Sequence, residues 1–326
     1  MKISKNSKFA FIGHGLVLYE LVKFFKKNKL EEPIVITHKK KFHHRDILEH
    51  AGDKSLYRDI FEISKIAKTY FVNDINEIKT LNLLKKNKIT HIFSISSRFI
   101  FKDKILKTYY NKIFNIHGTL LPKEKGSGIY SYRIFNNDFF CGATIHLVKK
   151  NLDSGNILLQ TKKIKVSKNS LPMHIIRSTN KIYIKLIKIF IKNISNNKKF
   201  KLKVQNQNNS TFYSRFYTDK MGLIDFDWNG EEICQFIKGL STPYSGAFCF
   251  VNFKLKKVKL KIFNSKFYKT KKNHPFLSGK VFFEDNKKIK IFVRNGVIII
   301  SKKFLRFHDA NKFKLLGKTL YSNIVA

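Results

Sequence analysis

The sequence predicts an α/β fold, a doubly wound and mostly parallel sheet followed by a smaller carboxyl-terminal β-barrel of OB-like type, and three observations carry that expectation. A buried run from Lys8 to Ile12 is broken by Gly13-His14-Gly15 and continued by LVLYELVKFF at helical period, the strand, glycine turn and helix that begin such a domain. Short apolar runs then alternate with amphipathic stretches as far as Asn193. Beyond a polar stretch from Ser195 to Ser210, the last third of the chain is dominated by short alternating strands. At 326 residues there is room for more than one core. The expected division is 1–194 for the first domain, 195–243 for a linker and bridging helix, and 244–326 for the barrel.

The elements follow in order. The Gly13-His14-Gly15 turn lacks the third glycine of a dinucleotide fingerprint, Leu18 standing there, so it reads as a turn that lets the first helix start close to the sheet. Pro33 to Thr37 predicts the second strand. The segment after it holds His38, His43, His44 and His50 on a loop with no cysteine, which reads as solvated loop or cleft mouth in preference to a metal site. A helix is expected over Leu56–Lys68, a strand at Tyr70-Phe71-Val72, a helix over Ile75–Asn87 and a buried strand from His91 to Ser96. Ser97-Arg98-Phe99-Ile100 leave the carboxyl end of that strand, where ligands gather in open α/β sheets, although Phe99 and Ile100 also read as core. Ile129–Phe135 predicts a helix and Gly142–Val148 a strand. His146 alternates with apolar residues along that strand and reads as structural. Val166–Asn193 predicts a long closing helix. In the carboxyl part, Lys254–Phe263, Gly279–Phe283, Lys287–Arg294 and Val297–Phe304 predict the barrel strands.

Composition narrows the class. The cysteines Cys141, Cys234 and Cys249 are odd in number and far apart, which suggests neither a disulfide framework nor a zinc site and fits a reducing cytoplasm. The amino-terminal apolar run is interrupted by His14 and Glu20 and lacks a cleavage signal, and no window reaches the length of a spanning helix; a soluble protein without membrane insertion is expected. The net charge of +43 invites a polyanion partner, yet only eight of the basic residues are arginine. Lysine rises here together with Asn, Ile and Phe, so nucleotide bias expressed as solvated lysines is the preferred explanation, with polyanion binding as the alternative.

The chemistry concentrates between Phe114 and Leu159. Asn115 and His117 are two apart, so on a strand their side chains leave one face. His117 and Asp153 are 36 positions apart, room for a helix and a return strand that brings a carboxylate back. An amide to hold an oxyanion, an imidazole to move a proton and a carboxylate to orient it make an acyl-transfer set.

Asn115, His117, Thr119-Leu120-Leu121-Pro122, Gly126, Ala143-Thr144-Ile145-His146 and Leu152-Asp153-Ser154-Gly155 resemble, in order and spacing, the folate-dependent formyltransferase family. A second block, Ile224-Asp225, Glu231-Glu232-Ile233, Ile237, Pro243-Tyr244 and Gly246-Ala247, resembles that family's carboxyl-terminal module, with Phe226 where tryptophan is usual. The resemblance implies a formyltransferase-type Rossmann-like domain with an OB-like module, 10-formyltetrahydrofolate as co-substrate, no metal, and Asn115, His117 and Asp153 as the catalytic residues. It also implies folate contacts at Arg98, Phe99, Ile100, Leu121 and Gly155, and acceptor contacts at Gly13, His14, Lys123, Lys125 and Gly126. Lys123, Glu124 and Lys125 stand where family members often carry arginine. Ile12-Gly13-His14-Gly15-Leu16 departs from the G-T-P-x-F-A of the branch that formylates methionyl-tRNA. The expected acceptor is therefore the amine of a nucleotide-linked amino sugar, as in lipopolysaccharide biosynthesis. Methionyl-tRNA is the alternative, and a non-catalytic nucleic-acid-binding relative, which would have no reason to keep all three catalytic residues, a second alternative. A homodimer is compatible with either enzymatic reading.

Overall fold

The computed structural model describes residues 1–43, 53–253, 256–307 and 314–321; His44 and His50 lie outside them. Its backbone divides into one unit of Met1–Ser127, Phe140–Val166 and Ile175–Ser214, and another of Gly128–Phe139, Ser167–His174 and Arg215–Ala326.

The first unit contains β1 (Phe9–Gly13), β2 (Ile34–His38), β3 (Thr69–Val72), β4 (His91–Ile95), β5 (Ile113–His117), β6 (Lys125–Gly126), β7 (Phe140–Cys141), β8 (Thr144–Leu147), β9 (Ile157–Gln160), β10 (Ile164–Lys165) and β11 (Phe212–Tyr213). Its main sheet runs β3-β2-β1-β4-β5-β8-β9. The first five of these strands are parallel, and β8 and β9 are antiparallel additions. Because strand side chains alternate, β1 serves two cores. Phe9 and Phe11 face α1 (Leu16–Lys27), with the Phe11 and Phe25 rings 4.8 Å apart. Ala10 and Ile12 join Leu81 and Leu84 of α3 (Ile78–Lys86) and Ile105 of α4 (Asp103–Thr108); the short α2 (Ile60–Ser64) precedes them. On the phenylalanine face, Phe190 packs on Phe93 and Phe114 at 5.2 and 5.9 Å. Helices on both faces leave the carboxyl ends of the parallel strands open for chemistry.

Several expected elements are shorter than periodicity predicts. The helix expected over Leu56–Lys68 is only α2, because Asp59 caps it by accepting from the Phe61 N–H at 3.0 Å. The helix expected from Ile75 begins at Ile78, because the Asp74 carboxylate accepts the Asn76 N–H at 3.1 Å and folds that stretch into a turn. The long helix expected from Val166, α6, spans Pro172–Ser195, with α5 (Ile129–Phe135) before it in the chain. A turn at Ser167–Ser170 and the bias of a residue before proline away from helix set that start.

The second unit holds α7 (Thr218–Met221), α8 (Gly230–Gly239), and strands β12 (Ala247–Phe253), β13 (Lys256–Ile262), β14 (Lys266–Lys269), β15 (Val281–Glu284), β16 (Lys288–Val293), β17 (Gly296–Ser301) and β18 (Leu305–Phe307). They form antiparallel sheets β12-β13-β18 and β14-β17-β16-β15. Cys249 and Val251, Val258 and Leu260, Ile289 and Ile291, and Ile298 and Ile300 alternate inward into one core closed by Ile233 and Ile237 of α8. That helix starts in a capping box between Asn229 and Glu232.

Candidate active site

β5 delivers Asn115 and His117 to the face of the sheet on which Ile113 joins the core, at the carboxyl end of the parallel strands. Its antiparallel neighbour β8 sets His146 directly across from Asn115. The turn after β8 returns Asp153. The carboxylate lies 3.7 Å from His117 Nδ1 and 3.5 Å from His146 Nε2, and it accepts the Gly126 N–H at 3.0 Å. The Asn115 amide donates to His146 Nε2 at 3.2 Å and has a second N–H to give. Asn115, His117 and Asp153 therefore meet. His146, expected to be structural, is buried at 1% exposure inside the same network. The Asn115–His146 register is the signal that identifies it, and it exists only once β5 and β8 are paired.

Carbonyl oxygens only accept, which fixes the ring protons. His117 Nε2 donates to Glu124 O and His146 Nδ1 to Leu147 O, each at 2.8 Å. The unprotonated nitrogens, His117 Nδ1 and His146 Nε2, turn toward Asp153. Burial pulls the His117 pKa down, and the opposing attraction of Asp153 does not make up the difference, so the ring is neutral at neutral pH. Burial pushes the Asp153 carboxyl up, but attraction to the His146 and His117 rings when they carry a second proton, together with the Gly126 N–H, outweighs it and holds the group at about 2. A neutral base beside a permanent carboxylate can take a proton on Nδ1 and be stabilised as imidazolium.

The loop from Thr119 to Gly126 is held on several sides. Thr144 Oγ1 donates to Thr119 O at 2.7 Å, Thr119 Oγ1 to Lys123 O at 3.0 Å, and Gln160 Nε2 to Leu121 O at 2.9 Å. The Lys125 side chain is buried, with Nζ 2.5 Å from Gln207 Oε1, whereas Lys123 is exposed. Gly155 permits the Asp153 turn, since a Cβ there would stand 1.8 Å from Leu147 O. Gly13, with φ 138°, lies against β4 where a Cβ would stand 1.7 Å from Ile95 O.

The other expected contact residues lie nearer the β2 and β4 ends. His14 is buried, its ring 5.4 Å from His43. Phe99 is core and stacks on His38 at 3.7 Å; Arg98 donates to Phe42 O at 2.7 Å. Ile100 is 64% exposed. Among the described residues, no cluster of His, Cys, Asp or Glu is placed to hold a metal ion, and no helix is long and apolar enough to cross a membrane.

The chain is 29% identical over 219 residues to the bifunctional polymyxin resistance protein ArnA of Wigglesworthia glossinidia brevipalpis, a match covering 67% of this chain and 32% of that protein; it thus spans about a third of that relative. It is 29% identical over 231 residues to the methionyl-tRNA formyltransferase of Finegoldia magna, covering 70% and 71% of the two chains. Its fold is similar to that of the N-formyltransferase from Helicobacter canadensis, solved with folinic acid and dTDP-3-aminofucose. There the TM-score is 0.62 at 21% identity, over 90% of this chain and 98% of the other. The family model described as formyl transferase matches residues 7–182, and that for the formyl transferase C-terminal domain matches residues 217–312. The chain belongs to the formyl transferase family of enzymes.

Proposed function

We propose that this enzyme moves a formyl group from 10-formyltetrahydrofolate to the primary amine of a nucleotide-linked amino sugar. The observation that carries the chemistry is the meeting of Asn115, His117 and Asp153 at the carboxyl end of β5. The amine nitrogen attacks the formyl carbon and a tetrahedral centre forms. Asn115 donates its second N–H to the oxyanion. His117 takes the ammonium proton on Nδ1, Asp153 stabilises the resulting imidazolium, and the proton passes to the folate nitrogen as its bond to the formyl carbon breaks. Folate lies along Arg98, Phe99 and Ile100 with peptide groups of Leu121 and Gly155; Gly13, His14 and the Lys123–Gly126 loop face the acceptor. Because Lys125 is buried against Gln207, the exposed Lys123 is the lysine of this loop that meets acceptor phosphates.

The sugar acceptor is supported by the Gly13-His14-Gly15 turn, which lacks the G-T-P of the tRNA-directed branch, and by the likeness to a fold crystallised with a dTDP-amino sugar. Methionyl-tRNA is the second reading, favoured by the Finegoldia relative. The test supplies 10-formyltetrahydrofolate and offers nucleotide-linked 3- and 4-amino sugars beside methionyl-tRNA. Turnover on a sugar is expected, with Asn115→Ala lowering kcat by about 10²–10³-fold, the range for a lost oxyanion donor. Efficient formylation of methionyl-tRNA alone would replace the sugar reading with the second one.

A further inference from the structure

Asp153 adopts φ 50°, a left-handed conformation uncommon for a non-glycine residue. A side chain that holds this turn comes from the polar stretch after α6. Gln205 is 5% exposed, and its Nε2 donates to Asp153 O at 2.9 Å and Gly155 O at 2.6 Å. Both acceptors are carbonyls, so the amide can face them only with its NH₂ group. The backbone beneath is pinned, Lys203 and Ile157 exchanging N–H to O bonds at 2.9 and 2.8 Å. The same stretch also holds the loop on the other side of His117. Gln207 takes Lys125 Nζ, Thr211 Oγ1 accepts the Glu124 N–H at 2.8 Å, and β11 pairs with β6. Glu124 O and the Asp153 carboxylate both border the His117 ring.

We propose that Gln205 is a positioning residue for formyl transfer. By bridging the Asp153 and Gly155 carbonyls it fixes the turn that aims the Asp153 carboxylate at His117 and His146. The turnover part of the inference rests on the proposed function; the geometric part does not.

The test compares Gln205→Met, of similar volume and without donors, with Gln205→Glu, an isostere that can donate only when its carboxyl is protonated. For both variants at pH 7.5, kcat is expected to fall about 10- to 100-fold, the range for partners that orient an active-site ligand. KM for both substrates should stay within about threefold, the signature of a lost interaction that acts on the chemical step. The kcat of Gln205→Glu relative to wild type should climb as pH falls, because protonation restores a donor, whereas the ratio for Gln205→Met should stay flat. In an Asp153→Ala background neither change should cost anything further. Independently of any substrate, imidazole ¹⁵N spectra of Gln205→Met should show the His117 titration moving to lower pH, since Asp153 is the attraction that opposes burial there. An unmoved His117 titration, a kcat within about twofold of wild type, full additivity with Asp153→Ala, or global unfolding of both variants would each overturn the inference. If the wild-type protein formylates no amine at all, the functional reading has failed and the His117 titration alone decides the role of Gln205.

Discussion

Asp153 concentrates the opposing forces of the site on one side chain. It is 9% exposed, which penalises its charge, yet the imidazoles of His146 and His117 and the Gly126 N–H hold its carboxyl at about 2 against an ordinary 3.8. A carboxyl with a depressed folded pKa stabilises the fold above its unfolded pKa, and that stabilisation is lost as pH falls from 3.8 through 2. The difference corresponds to about 2 kcal/mol. Asp153→Asn should therefore lower the free energy of urea unfolding at pH 7 by that order, and the gap to wild type should close as the pH drops from 3.8 through 2. A gap that stays constant with pH would mean the carboxylate is not ionised against its partners. His117 has the opposite need: burial depresses it, so its neutral form persists at neutral pH and is ready to accept a proton.

At the scale of elements, α6 is the beam on which the phenylalanine face of the sheet rests. Phe190 is fully buried and touches Phe93 and Phe114, and its ring also lies 5.5 Å from that of Phe200. Phe190→Ala should cost about 3–5 kcal/mol in urea unfolding, the range for emptying a packed aromatic site, while the folded fraction keeps its kcat. The buried run KFAFI, cut off by the Gly13-His14-Gly15 turn, made β1 legible as a strand, because both signals are local to the chain. The starts of α2, α3 and α6 were not, since Asp59, Asp74 and Pro172 interrupt apolar patterns that would otherwise continue. In the site, Asn115, His117 and Asp153 stood out because their spacing and residue types make an acyl-transfer set and fall in the family's blocks. His146 and Gln205 did not. The first looks like one more inward strand residue until it is paired with Asn115, and the second sits in a run whose polarity resembles a linker until its amide is seen to bridge two carbonyls.

At the scale of the whole molecule the question is what 65 basic against 22 acidic residues do. In the second unit they partly serve as covers. Along β13, Lys257, Lys259 and Lys261 face Asn252, Phe250 and Phe248 of β12, and Lys259 Nζ lies 3.6 Å from the centre of the Phe248 ring. Lys257 Nζ likewise lies 4.4 Å from the Phe250 ring, and Lys261 Nζ donates to Asp219 at 3.1 Å, uses that require no polyanion. A charge of +43 must still attract nucleic acid at low salt, whatever the enzyme acts on. The two roles separate through their salt dependence. Neutralising many phosphates releases many counterions, so affinity for bulk tRNA should fall by about 10³-fold or more between 50 and 200 mM salt. A sugar nucleotide presents only a diphosphate, and its kcat/KM should change by less than about tenfold over the same range. If formylation activity instead tracked tRNA affinity down the salt series, the lysines would belong to substrate recognition and the acceptor would be a nucleic acid.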